Sequence, residues 1–141
     1  MKAFLDTSVL IATFYGDHEN HVISKDLFLR FTKKEVCCAA HSLAEFYSVL
    51  TGMPGKNRVS GDEALLFLGD IQERLSIVTL SDKEYFKAIE SAATIGLSGG
   101  SIYDAILGYC ALKSNAAKIF TWNLKDFKRL SPEIATLTTT P

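Results

Sequence analysis

Short apolar segments alternate with helical segments along this chain, and this alternation constrains the fold more than any other feature. The segments typical of buried strands are residues 2–6, 36–40, 77–80 and 118–122. Between them apolar residues recur at helical spacing, as they do from Asn20 to Lys34. Strands that alternate with helices build parallel sheets whose two faces are covered by helices. The sequence therefore predicts an α/β fold of three layers, α/β/α, with a central parallel sheet.

Local signals predict where several helices begin. A Ser or Thr that precedes an apolar helical pattern is expected to cap it, and the candidates are Thr7 or Ser8, Ser42, Ser60 and Ser81. A Glu stands three residues after each of the last three, which is the spacing of a capping box. Beyond Pro132 we expect at most one further short strand.

Length and composition favour a single cytoplasmic domain that spans residues 1–141. The 15 basic and 16 acidic residues give a net charge of −1, which neither indicates nor excludes a nucleic-acid partner. Cys37, Cys38 and Cys110 form a poor disulfide framework and lack the spacing of a zinc site. No apolar stretch approaches the length of a membrane span, so we expect no membrane association.

Four acidic side chains occur in related settings. Asp6 directly follows the first strand, Glu45 and Asp104 lie near the starts of apolar helices, and Asp126 follows the predicted strand at 118–122 together with Asn123. Each has a purely structural explanation, because Asp6 can cap a helix, Glu45 and Asp104 can complete capping boxes, and Asn123 and Asp126 suit a turn or short helix.

Considered together, these residues predict a metal site. The carboxyl ends of parallel strands meet at one edge of a sheet, so side chains placed there are expected to converge. Clustered carboxylates repel one another and require a cation. Oxygen ligands without His or Cys favour Mg²⁺, with Mn²⁺ as the alternative, over zinc.

Four segments in this order resemble the motifs of the PIN domain family. They are FLDTSVLI at 4–11, SLAEFYSVL at 42–50, SIYDAILGYCAL at 101–112 and TWNLKDF at 121–127. The resemblance covers essentially the whole chain and implies a PIN-like fold. It also implies a metal site and catalytic centre formed by Asp6, Glu45, Asp104 and Asp126, with Asn123 as a further ligand and support from Thr7, Ser8 and Thr121.

One position departs from the family pattern. The fourth acidic position of the family falls on Asn123, which offers an amide oxygen but no charge. Asp126 stands three residues further on, where it can serve the metal directly or through water.

Single-domain PIN proteins of this size are most often the ribonuclease toxins of VapC-type toxin–antitoxin pairs. The resemblance therefore implies a Mg²⁺-dependent endoribonuclease that cleaves single-stranded RNA, with a cognate antitoxin protein and a second copy of the chain as partners. Lys56, Arg58 and Lys125 are candidates for contacting RNA, although ordinary solvated surface is the better explanation for any single one of them. Two alternatives stay open: a catalytically weak module that mainly binds a protein, which Asn123 favours, and a metal-dependent DNA nuclease.

Overall fold

A computed structural model describes residues 1–141 and contains one sheet of five parallel strands. The strands are β1 (Ala3–Leu5), β2 (Val36–Ala39), β3 (Ser76–Val78), β4 (Lys118–Phe120) and β5 (Thr138–Thr139). Their order across the sheet is β3-β2-β1-β4-β5, and every neighbouring pair is parallel. The predicted α/β architecture with a central parallel sheet is confirmed.

Eight helices connect and follow these strands. They are α1 (Thr7–Phe14), α2 (His21–Arg30), α3 (Ala40–Thr51), α4 (Gly61–Arg74), α5 (Asp82–Thr94), α6 (Ser101–Lys113), α7 (Leu124–Lys128) and α8 (Pro132–Leu137), with a 3₁₀ turn at Gly55–Asn57. None of them is long and apolar enough to cross a bilayer.

Two apolar cores lie on opposite faces of the sheet, because successive strand residues point to opposite sides. In β1, Ala3 and Leu5 join the core formed with α1 to α4, whereas Phe4 joins the core formed with α5 to α8. All three residues are fully buried. This two-sided burial explains why the strand segments are continuously apolar and shows how the three layers are held together.

Several predicted helix ends are correct. Ser60 caps α4 by accepting a hydrogen bond from the Glu63 amide, although the Glu63 side chain does not complete the predicted capping box. Ser81 forms a complete capping box with Glu84 at the start of α5. The sequence prediction missed α8, whose first residue is Pro132. A proline at this position and a Ser cap before it are both typical of helix starts.

Other predicted ends are wrong. Asp6, and neither Thr7 nor Ser8, is the N-cap of α1. Helix α3 begins two residues before Ser42, so Ser42 lies inside the helix, fully buried, and its hydroxyl has no hydrogen-bond partner. The capping box expected between Ser42 and Glu45 therefore does not form, and the Glu45 carboxylate is available for other contacts.

Candidate active site at the carboxyl ends of the strands

The sheet reverses its direction of growth between β1 and β4. The chain builds β1, β2 and β3 toward one edge and then places β4 and β5 on the other side of β1. Ligand sites in such folds lie at the carboxyl ends of the strands, where the order reverses. Asp6 directly follows β1, and its amide donates a 3.0 Å hydrogen bond to the carbonyl oxygen of Phe120 at the end of β4. Asp6 thus lies at the point where a site is expected.

Two hydroxyl groups fix the buried Asp6 carboxylate. Oδ2 accepts hydrogen bonds of 2.7 Å from Ser8 Oγ and 2.7 Å from Thr121 Oγ1, and Asp6 is only 2% exposed. Ser8 Oγ in turn accepts from the Trp122 amide, and Thr121 Oγ1 accepts from the Asn123 amide, both at 2.9 Å. Because a hydroxyl carries one proton, the network runs in one direction, from backbone amide to hydroxyl to carboxylate.

Burial and hydrogen bonding act on Asp6 in opposite directions. Burial is the larger effect and raises the pKa of Asp6 above 3.8, while the hydrogen bonds from Ser8 and Thr121 lower it. Asp6 forms no ion pair with any Lys or Arg of the chain. A buried carboxylate without a cationic partner is costly. A divalent cation beside it would offset that cost.

Glu45 is tied to the same region through Thr7. Thr7 Oγ1 donates a 2.9 Å hydrogen bond to Glu45 Oε1 and so joins the first turn of α1 to α3. The predicted supporting residues therefore divide between two acids, since Ser8 and Thr121 hold Asp6 whereas Thr7 holds Glu45.

Asp104 lies in the first turn of α6 and feels the charges of the other three acids. Its pKa is raised from 3.8 to about 6, first by burial and then by the negative charges of Asp6, Asp126 and Glu45. Arg129 acts in the opposite direction and is the smallest of these influences. Asp126 is more loosely held, because its side chain is 52% exposed and its Oδ1 lies 3.9 Å from Arg129. The four predicted acids are thus electrostatic neighbours.

The oxygen atoms and the negative charges of these acids suit a hard divalent cation, but the acids do not form a complete coordination shell. All their donor atoms are carboxylate oxygens, the type that Mg²⁺ and Mn²⁺ prefer. No three Asp, Glu, His or Cys side chains approach closely enough to make a complete metal-binding group. An apolar cleft of about 250 Å³ lies among α5, α6 and α8, and none of the four acids lines it.

The remaining predicted residues are at the surface. Asn123 is exposed, precedes α7 and donates only its backbone amide to the network. Lys56 and Lys125 are exposed and form no ion pair, and Arg58 donates from Nε to the Met53 carbonyl oxygen at 3.0 Å. Their proposed contact with RNA stays a prediction.

The sequence prediction missed an aromatic pair beside the acids. The rings of His41 and Tyr103 are stacked, with centroids 5.3 Å apart and planes at 9°. His41 precedes Glu45 by one helical turn, and Tyr103 directly precedes Asp104. The only sequence signal is that each ring accompanies an acid within its motif, because the contact itself joins distant parts of the chain.

Comparison with known proteins agrees with this architecture. Residues 3–131 match the model of the PIN domain. The chain is 32% identical over 136 residues to Ribonuclease VapC40 of Mycobacterium tuberculosis. The aligned region covers 94% of this chain and 97% of that protein. Among solved structures, Mycobacterium tuberculosis VapC20, a Sarcin-Ricin loop cleaving toxin, matches with a TM-score of 0.73 at 16% identity, over 89% of this chain and 92% of that one. VapBC2 from Rickettsia felis, bound to a promoter DNA fragment, matches with a TM-score of 0.67 at 20% identity, over 99% of this chain and 98% of the other. The chain therefore belongs to the PIN domain family and is of the VapC type.

Proposed function

We propose that this protein is a Mg²⁺-dependent endoribonuclease that cleaves single-stranded RNA and acts as the toxin of a toxin–antitoxin pair. The observation that carries the proposal is that Asp104 lies within the electrostatic influence of Asp6, Glu45 and Asp126, which come from three other segments. The similar protein VapC40 is named a ribonuclease, which supports RNA as the substrate of this chain.

Each residue has a distinct role in the proposed chemistry. Asp6 is the fixed ligand, because Ser8 and Thr121 hold one of its oxygens in place. Glu45 is oriented by Thr7, and Asp104 is ionised once the pH exceeds about 6. Mg²⁺ or Mn²⁺, when bound, supplies the Lewis acid that acidifies the attacking water and neutralises charge on the phosphate.

The charge of the site also limits the substrate. The carboxylates repel the phosphates of RNA, so cations outside the acidic cluster must attract the backbone. Lys56, Arg58 and Lys125 are assigned this role because all three are exposed. A single strand can bend toward such an edge more easily than a duplex can.

A protein partner and a second copy are part of the same proposal. The chain exposes large apolar side chains on α2, α4 and α5, including Val22, Leu66 and Phe86, which can serve as contact surfaces. The Rickettsia felis structure of the pair VapBC2 supports an antitoxin as one partner. A cytoplasmic location is supported by three buried cysteines that form no disulfide.

A second candidate function is a module that binds a protein without cleaving RNA. Asn123 favours it, because this residue stands where the family carries a fourth acid and brings no charge. The exposed Asp126 nearby favours retained activity instead.

The test is cleavage of labelled single-stranded RNA, single-stranded DNA and duplex RNA by the purified chain, with Mg²⁺, Mn²⁺ or EDTA. We expect metal-dependent cleavage of single-stranded RNA that Asp104→Asn abolishes. Asp26→Asn makes the same chemical change at an exposed position of α2 and should leave the rate unchanged. Cleavage of DNA alone would identify a DNA nuclease, and binding of RNA or protein without any cleavage would identify a module.

A further inference from the structure

We infer that the stacked rings of His41 and Tyr103 form a platform that binds one unpaired base of the substrate next to the cleavage site. This inference rests on the proposed RNA cleavage and adds to it the contact that recognises a splayed base. The two rings are called the His41–Tyr103 platform below.

The platform is not part of either core. The other close aromatic pairs all include Phe14 and pack within the core on the α1 to α4 face. Tyr103, in contrast, is a buried member of neither apolar cluster and is 50% exposed. The ring centroids are 5.3 Å apart in nearly parallel planes, so the stack is offset and leaves much of the Tyr103 ring exposed. An exposed aromatic ring held parallel to a second ring is preorganised to extend the stack by one more ring.

The position of the platform connects it to the acids. Its two rings come from the first turns of α3 and α6, the same helices that carry Glu45 and Asp104. His41 lies on the same face of α3 as Glu45, since residues four apart are neighbours on a helix. Tyr103 is the residue directly before Asp104. A base on this platform therefore places its own phosphate, or the next one, beside the carboxylates.

A nucleobase is the ligand whose chemistry suits this surface. The acids repel phosphate, so an uncharged contact close to them helps to hold the strand. Every base has a flat π-face, and stacking on an exposed aromatic ring stabilises single-stranded nucleic acid with little dependence on sequence. A duplex keeps its bases stacked internally and cannot offer one, so the platform also explains a preference for single strands.

The experiment compares three forms of the protein on a matched set of RNAs. Tyr103→Leu removes the aromatic face, and Tyr103→Phe keeps it while removing the hydroxyl. The substrates are one single-stranded RNA and a series in which each nucleotide around the cleavage position is made abasic in turn. We expect Tyr103→Leu to lower kcat/KM about 5- to 100-fold on the intact RNA, mainly through KM, and Tyr103→Phe to change it less than about twofold.

The abasic series separates stacking from a general structural effect. At one abasic position, the wild-type protein should cleave as slowly as Tyr103→Leu does. Tyr103→Leu should cleave that abasic RNA as fast as it cleaves the intact RNA. His41→Phe, which retains a ring beneath Tyr103, should keep the activity that His41→Ala loses in part. Two results would overturn the inference. One is that Tyr103→Leu lowers kcat/KM by the same factor on every abasic RNA, and the other is that it does not lower kcat/KM on the intact RNA.

Two further outcomes remain decisive. If no form of the protein cleaves RNA, the proposed function fails, and binding of the same RNAs measured by fluorescence anisotropy then decides the platform. Weaker binding of intact RNA by Tyr103→Leu, with no difference on one abasic RNA, supports the platform; absence of RNA binding refutes it. A change of oligomeric state in Tyr103→Leu without an effect on RNA assigns Tyr103 to a protein interface and also refutes it.

Discussion

Replacing Asp104 by Asn should stabilise the metal-free protein at neutral pH. In the folded chain the pKa of Asp104 is raised from 3.8 to about 6 by burial and by the charges of Asp6, Asp126 and Glu45. The folded state therefore binds this proton more tightly than the unfolded state does. Below about pH 4 Asp104 is neutral in the folded state and the free energy of unfolding is not reduced by it. As the pH rises from about 4 to about 6, ionisation of Asp104 lowers the free energy of unfolding. Above about pH 6 the whole penalty is present, and the Asn variant escapes it.

The size of the effect follows from the same shift. A rise from 3.8 to about 6 corresponds to about 3 kcal/mol, at roughly 1.4 kcal/mol for each tenfold change in proton affinity. Asp104 is only partly buried, so solvent screening reduces this figure. The start of α6 also favours a negative charge by about 0.3–1 kcal/mol, which the variant loses. We therefore expect a net gain of about 1–2 kcal/mol in the free energy of unfolding.

The measurement is urea unfolding in EDTA, followed by circular dichroism, for the original protein, Asp104→Asn and the control Asp26→Asn. The Asp104 variant should be the more stable at about pH 7.5, with the difference vanishing near pH 4. Added Mg²⁺ should then stabilise the original protein and leave the Asp104 variant nearly unchanged, because only ligand binding to the folded state shifts the transition. The acids do not interact as described if Asp104→Asn is less stable than the wild-type protein in EDTA at neutral pH. The same conclusion holds if the difference in free energy of unfolding does not depend on pH.

Three further substitutions test other parts of the structure. Thr121→Val removes one of the two hydroxyl donors to the buried Asp6 carboxylate and leaves the Asn123 backbone amide without its partner. We expect the free energy of unfolding in urea to fall by about 1–3 kcal/mol and RNA cleavage to become much slower. An unchanged stability and an unchanged rate would contradict the hydrogen-bond network. Gly108→Ala should lower the melting temperature, because its new Cβ would lie 2.7 Å from Ile134 Cδ1 and 3.1 Å from Ile134 Cγ2, and overpacking that costs about 1–3 kcal/mol outweighs the roughly 1 kcal/mol that alanine adds to a helix. Gly69→Ala is the matched control, since nothing lies within 4 Å of its Cβ and the helix should gain roughly 1 kcal/mol; similar effects of both changes would show that packing is not the cause. Ser42→Ala deletes a buried hydroxyl that has no partner, so calorimetry should find a melting temperature equal to or above that of the original protein, and a clear decrease would reveal a hidden hydrogen bond.

Most of the fold could be predicted because its elements are locally encoded. Buried strands such as β1 and β2 are apolar on both faces, and the helices between them keep a helical spacing. Helix α8 was missed since it is only six residues long and buries a single residue, Ile134, which is too weak a pattern to recognise. Strand β4 is shorter than predicted and ends at Phe120, and the hydroxyl of the next residue, Thr121, donates to Asp6.

The residues of the candidate site could be named from the sequence, but their contacts could not. The hydrogen bond from Thr121 to Asp6 joins residues 115 positions apart and exists because β4 lies beside β1. The stacking of His41 on Tyr103 likewise depends on how α3 and α6 approach each other. Such contacts follow from topology, which a motif does not contain.

Two failures of local prediction are informative because they lie at the candidate site. The pattern Ser-x-x-Glu forms a complete capping box at Ser81 on α5, which carries none of the four acids. The corresponding acids after Ser42 and Ser101 cap nothing, and α3 and α6 have no side-chain cap at all. A missing cap costs about 0.5–2 kcal/mol, so two helices give up stability where the acids lie. Departures from local rules that lower stability are expected where function requires them. The same residue pattern therefore caps a helix on α5 and leaves carboxylates free for a cation at the sheet edge.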